Sequence, residues 1–274
     1  MLLQARGLPK GDSVTFRGDA VTEDHVRGGR DTDGKRLCEP TASVRLRDGT
    51  AAERPLRQLT ADQVVAAAPW RSARSARGQA HYPGYYWSAT SGGHVIYESR
   101  LELGRLLLAD FDPGVTAIAA QPFLLQAQAG GRLRRHVPDF LLVRADHTVQ
   151  VVDVKPAARL ADPAVAEALA WPGPLFEARG WDHEIWTGAS SVLLANVRFL
   201  AGYRRPGIPP DDVASAVLGE ARPGERLGGL LDRLERAWPR PAAKAAVLRL
   251  LWQRRLSTDL SRPLDAGSVL EVTR

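Results

Sequence analysis

The chain reads as an α/β protein with a mixed central sheet flanked by helices, preceded by an amino-terminal extension and followed by a helical domain. Three observations predict this. Apolar, β-branched runs recur between residues 115 and 187 with helical patterns on either side. Two of these runs carry charges that a buried strand tolerates only when they are paired, at His136-Val-Pro-Asp139-Phe140 and Val152-Asp153-Val154-Lys155-Pro156. A proline-rich break, Arg204-Arg-Pro-Gly-Ile-Pro-Pro210, then separates the sheet region from a run of helices. The domains expected are 1–78, 79–203 and 204–274.

Composition narrows the classes. A chain of 274 residues, 44% hydrophobic and 25% charged, can bury one large core or two to three small ones. The net charge of +6 and a pI near 9.9 favour a polyanionic partner. A single cysteine, Cys38, excludes an internal disulfide and a cysteine-built zinc site. The six histidines have no Cys or His neighbours at ligand spacing, so they are expected at the surface or against phosphates. No apolar run approaches the roughly 20 residues that span a bilayer, and no signal-peptide core opens the chain. A cytoplasmic protein without membrane contact is expected.

The elements follow in order. Residues 1–78 are expected to be β-rich with one helix. Ser13–Arg17 and Ser43–Arg47 alternate with period two, Gly18–Pro40 is turn-rich, and Thr60 caps a helix that begins Ala61-Asp62. From Arg71 to Trp87 the chain is basic and then aromatic. Arg71, Arg74 and Arg77 suit phosphates, and Tyr85 and Tyr86 suit stacking on bases, unless they are a solvated face and a core edge. Ile96–Asp110 is a helix apolar in nearly every direction except a sector holding Glu98, Glu102 and Arg105, so that sector should face a cleft. Thr116–Gln126 and Leu133–Val143 are strands joined by a hairpin at Gly130-Gly131. Val149–Lys155 is a third strand. Asp162-Pro163 opens a helix that Pro172 and Pro174 interrupt, and Asp182–Thr187 is a last strand. Helices at 211–218, 225–237 and 242–253, followed by a hairpin of 256–260 with 268–272, suggest a winged helix. The helix at 242–253 is mostly Ala, Val and Leu, which suits docking to a protein at least as well as reading DNA.

The chemistry concentrates in two strands. Asp153 and Lys155 are two apart, so they share one strand face, roughly 7 Å apart along it, and Asp139 arrives from the preceding strand. Acids beside a lysine can hold a hard divalent cation next to a charge stabiliser, whereas an Asp153–Lys155 pair reaching for water would do nothing. The lysines are only Lys10, Lys35, Lys155 and Lys244 among 37 basic residues, so a lysine inside a strand is not generic surface charge.

The order helix with Glu, strand, strand with Pro-Asp, strand with Asp-x-Lys, helix, strand resembles the PD-(D/E)XK nuclease superfamily and its restriction-endonuclease-like core. More narrowly, Glu98-Ser-Arg-Leu-Glu102-Leu, Phe111-Asp-Pro-Gly-Val115, Gln121-Pro-Phe123, His136-Val-Pro-Asp139-Phe and Val152-Asp-Val-Lys-Pro156 resemble the TnsA-like endonuclease subunit of heteromeric transposases. The likeness covers roughly Tyr86–Tyr203 and leaves 1–78 unexplained. It implies an Mg2+- or Mn2+-dependent endodeoxyribonuclease that cleaves the 5′ strands at transposon ends. The partners implied are DNA, an integrase-like transposase subunit and an AAA+ ATPase.

Phosphodiester hydrolysis needs a metal to activate water and to stabilise the leaving oxygen, and magnesium is content with two or three protein oxygens. Asp139 and Asp153 are the expected ligands, with the Val154 carbonyl as another, although the TnsA-like pattern can carry glutamine at 153. Lys155 would orient the water or stabilise the pentacovalent charge. By resemblance Glu102 is the helix acid and completes the metal site, with Glu98 in reserve. Gln121 is an accessory or a strand-edge residue. His136 is a phosphate contact or an edge residue, not catalytic. A stand-alone restriction or repair nuclease is the alternative reading, and a non-catalytic DNA-binding assembly module is a third.

Overall fold

The computed structural model describes residues 13–14, 39–71 and 82–273. Arg74, Arg77, Cys38, the 18–38 turn region and most of the first expected strand lie outside them. The protein is mixed α/β, and no helix among the described residues is long and apolar enough to cross a membrane. The chain divides into two compact units, Met1–Leu103 with Gly114–Gly188, and Gly104–Pro113 with Ala189–Arg274. These borders differ from those read in the sequence: no border falls near 78, and the second unit starts before 204.

Among the described residues, the first unit is built mainly on two larger sheets. One has the order β1 (Ser13–Val14), β11 (Asp182–Trp186), β10 (Val149–Val154), β9 (Phe140–Arg144), β6 (Val115–Ala120). β10 runs parallel to β11 and antiparallel to β9, and β9 is antiparallel to β6. The other has the order β3 (Ala51–Pro55), β2 (Thr41–Arg45), β7 (Leu124–Ala129), β8 (Arg132–His136). Residues 41–55 are thus strands added to β7, not a separate extension. Ala42, Val44, Phe123, Leu125, Leu141, Val151, Phe176 and Trp181 pack into one core between the sheets and their helices.

Each of the two long strands expected at 116–126 and 133–143 is two strands in different sheets. Both break at a proline, Pro122 and Pro138. Proline has no N–H for a ladder, so an interior strand cannot run through it. The first break also turns at Gln121, whose φ of 46° is in the left-handed region that non-glycine residues rarely occupy. The hairpin at Gly130-Gly131 forms, with φ of 60° and 72°, values that suit glycine in a tight turn.

The helix over 96–110 starts later than its pattern suggests. Gly93–Tyr97 is β5, paired with β4 (Gly84–Ser88), and α2 is Arg100–Phe111. Helix α1 (Ala61–Ala66) opens with a full capping box between Thr60 and Gln63. Between β10 and β11 lie α3 (Ala157–Leu160), α4 (Pro163–Ala170), capped by Asp162, and α5 (Gly173–Ala178).

The second unit contains α6 (Ser191–Leu200), α7 (Asp211–Glu220), β12 (Glu225–Arg226), α8 (Leu227–Leu234), α9 (Arg240–Trp252), β13 (Leu256–Ser257) and β14 (Val269–Val272), the strands ordered β12-β14-β13. Helix α9 is its central core: Val247, Leu248, Leu250 and Leu251 are all buried. This corrects the expectation that the apolar surface of this helix is available to a partner, because the helix spends that surface on its own unit. Its buried Arg249 is paired with Asp211 and donates to the Pro209 carbonyl. Asn196, buried on α6, donates to the carbonyls of Leu260 (2.9 Å) and Arg262 (2.7 Å) and accepts from Leu264 N–H (3.2 Å), pinning the loop between β13 and β14.

Candidate active site

Asp139 sits just past the proline break, one residue beyond the last β9–β10 rung, Phe140↔Val152. Three bonds fix it. Its N–H donates to Val152 O (3.1 Å), its carbonyl accepts from Gln121 N–H (2.8 Å), and its Oδ2 accepts from Val154 N–H (2.6 Å). The Gln121 turn and the Pro138 break are therefore bonded to each other through Gln121 and Asp139, residues 18 apart in the sequence.

Lys155 N–H donates to Trp186 O on β11 (2.9 Å), whereas Val154 N–H points the opposite way, to Asp139. In a strand the N–H and C=O of one residue face the same side. The Val154 carbonyl therefore faces the Asp139 side, where β9 pairing has ended, and is placed to serve as an oxygen donor.

The acids differ in their electrostatics. Burial first, then the charges of Asp153 and Glu102, push the Asp139 carboxyl up to about 8, against weaker help from the Val154 N–H and Lys155. Burial also pushes Asp153 upward, but His136 and then His183 outweigh it and hold the group below the usual carboxylate range. His136 Nε2 lies 3.0 Å from both Asp153 oxygens, and His183 Nε2 lies 2.8 Å from Oδ2. Glu102 is raised by burial, against the bonds from Glu98 N–H and Ser99, while the Glu98 charge adds to the rise and Lys155 opposes it.

Glu102 also has a structural task. Ser99 precedes the first residue of α2, and its Oγ accepts from Glu102 N–H (3.1 Å), while Glu102 Oε2 accepts from Glu98 N–H (2.7 Å). This is a reciprocal cap displaced by one residue from the usual box. Glu98 points elsewhere, with Oε2 3.8 Å from Arg71 Nη1. Glu102, not Glu98, is the helix acid whose charge acts on Asp139.

Other expected site residues are placed as follows. Arg71 is half-exposed and faces Glu98. Gln121 is buried, and its Oε1 accepts from Arg71 N–H (3.0 Å), a backbone-organising role. Tyr85 is exposed, with the edge of His94 against it at 6.5 Å, but Tyr86 is buried at 7% exposure and cannot stack on a base. Successive strand residues alternate faces, so only one of this tyrosine pair can face solvent. His136 is no free phosphate contact, because its Nε2 is directed at Asp153. His183, expected with the other histidines at the surface or against phosphates, instead has a buried side chain, with its Nε2 at Asp153. The sequence signal for it is weak: it shares a strand face with Ile185, but its neighbours Asp182 and Glu184 are charged, so it does not stand out as Asp153 does in its apolar run.

The donor set suits a hard cation with few protein ligands. No group of three or more His, Cys, Asp or Glu side chains among the described residues is gathered to hold a metal ion. Glu102, expected as a third carboxylate ligand, acts on Asp139 by its charge, as Asp153 does, but the three are not gathered as one ligand group. The Asp139 and Asp153 carboxylates and the Val154 carbonyl are all oxygen donors. Magnesium binds such sites while keeping several waters. Asp139 is raised first by burial and then by the charges of Asp153 and Glu102, and a cation beside it would oppose both effects.

No family model matches the chain, and no curated protein is significantly similar to it in sequence.

Proposed function

We propose that the protein is a divalent-cation-dependent DNA endonuclease with a PD-(D/E)XK, restriction-endonuclease-like core, of the type that serves heteromeric transposases. The observation that carries this reading is the meeting of Asp139, Asp153, the Val154 carbonyl and Lys155 at adjacent strand ends, with Glu102 acting on the same carboxyl. Asp139, Asp153 and the Val154 carbonyl would hold Mg2+ or Mn2+. When bound, the cation supplies a more acidic water and stabilises charge on the phosphate. Lys155 faces the same acids and offers an ammonium to the non-bridging phosphate oxygens, where charge builds as the phosphorus becomes pentacovalent. Glu102 caps the amino terminus of α2 through Glu98 N–H and adds negative charge beside Asp139 that favours an incoming cation.

The order α7, β12, α8, α9, β13, β14, with a three-stranded sheet, supports a winged-helix reading of the carboxy-terminal region. With α9 buried, contacts to a transposase, an ATPase or DNA fall to other surfaces of that unit. An integrase-like transposase and an AAA+ ATPase encoded beside the gene would favour the transposon role over a stand-alone restriction or repair nuclease.

The test is nicking of transposon-end DNA by the purified chain with its neighbouring transposase proteins, in Mg2+ or Mn2+ and in chelator. Nicking that needs the cation and is lost in Asp139→Ala and Lys155→Ala supports the reading. Unchanged nicking by both variants overturns it.

A further inference from the structure

Asp153 is the most enclosed acid of the site, and the donors it receives come from side chains. His136, at the end of β8, is equidistant at 3.0 Å from its two oxygens, and His183, on β11, adds a bond of 2.8 Å to Oδ2. The side chains of Asp153, His136 and His183 are 3%, 13% and 7% exposed, so water does not compete for these bonds. By contrast, Asp139 and Glu102 are held by backbone N–H groups, of Val154 and Glu98.

The two rings are themselves fixed from behind. His183 lies edge-on to Phe176 at 5.3 Å, and His136 lies edge-on to Trp171 at 6.2 Å. Residue 173 is a glycine where a Cβ would stand 3.2 Å from His183 Nδ1, so α5 begins with the one side chain that leaves the ring unhindered. Four separate elements, namely the end of β8, β11, α5 and the α4–α5 turn, thus converge to orient one carboxylate. A core histidine that merely fills space does not need its polar nitrogen aimed at the same acid as a second histidine.

We propose that His136 and His183 are positioning residues for the cation site: they act through Asp153, clamping its carboxylate in the orientation that shares a cation with Asp139. This rests on the divalent-cation reading above. Groups that orient a ligating side chain typically change metal affinity by about 10–100-fold when removed. Glutamine can replace a ring N–H with an amide N–H, whereas leucine has no donor.

The experiment is Mn2+ titration of the full chain without DNA, following free Mn2+ by electron paramagnetic resonance. His183→Leu and His136→Leu are expected to weaken Mn2+ binding by about 10-fold or more, and His183→Gln and His136→Gln to recover much of that loss. In an Asp153→Asn background, His183→Leu is expected to produce no further loss, because the route through Asp153 is already cut. Should a leucine variant fail to fold, His183→Ser carries the test, since it is polar but too short to reach the carboxylate. Wild-type affinity in the folded leucine or serine variants overturns the proposal, as does an undiminished further loss in the Asp153→Asn background. If the wild-type chain takes up no Mn2+ while Asp139→Ala leaves nicking intact, the cation reading itself fails and this inference falls with it.

Discussion

His183 on β11 bonds Asp153 on β10 diagonally: the parallel register pairs His183 with Val151, and its Nε2 reaches one side-chain position along the strand to Asp153 Oδ2 at 2.8 Å. The consequence is an asymmetric pair of acids. Asp153 keeps its charge under two imidazoles, whereas burial first, and then the charges of Asp153 and Glu102, push Asp139 up to about 8. The proton-holding acid and the charge-holding acid are thereby distinguished.

Stability should fall as pH rises from about 4 to about 8 in chelator. The folded-state value of Asp139 is raised above its unfolded value of 3.8, so the native chain holds a proton that the unfolded chain has released across that window. The advantage is full below the unfolded value and is lost as pH passes the folded one. Glu102 shifts in the same direction, and Asp153, lowered, matters only below its ordinary value. Asp139→Asn keeps an acceptor for Val154 N–H and should remove a pH-dependent term on the order of 2–5 kcal/mol. Urea denaturation at about pH 5 and about pH 8 checks this. An identical slope in wild type and variant would show that Asp139 is not the strained acid.

Lys155→Ala should lower the cleavage rate by about 100-fold or more while leaving Mn2+ affinity nearly intact, because its ammonium offers charge stabilisation and no ligand. Single-turnover nicking beside Mn2+ titration separates the two effects. Loss of Mn2+ binding in a folded Lys155→Ala chain would count against the assigned role.

Glu102 and Glu98 should part company under isosteric change. Glu102→Gln retains an oxygen for Glu98 N–H, so the cap and the melting temperature should survive while cleavage falls. Glu98→Gln loses only a half-exposed pairing with Arg71 and should move cleavage and stability little. Equal losses of cleavage in the two variants would remove the preference for Glu102.

Asn196→Ala should destabilise the second unit by about 3 kcal/mol. The buried Leu260 carbonyl and the partly buried Arg262 carbonyl and Leu264 N–H lose their partner at once, and an unmet buried group costs about 1–3 kcal/mol, less where water can reach it. Hydrogen exchange should show the loop at 258–268 opening first. Unchanged protection there would mean that the loop is held by other contacts.

The sequence alone marked Asp139, Asp153 and Lys155, since a charge within an apolar strand stands out without knowledge of its partner. Local rules likewise sufficed for the caps at Thr60 and Asp162, whose bonds join residues two or three positions apart, and for the turn of the Gly130-Gly131 hairpin. What the tertiary structure decided depends on distant partners. Periodicity reports that Thr116–Gln126 and Leu133–Val143 have apolar faces, but not that Pro122 and Pro138 pass each into a second sheet. It reports that α9 is apolar, but not that the unit's own core covers it. Nor does any local pattern bring His136 and His183 to Asp153, 17 and 30 residues away. A side chain's facing direction is set by neighbours in sequence, whereas the group it meets is set by how the sheets fold over one another.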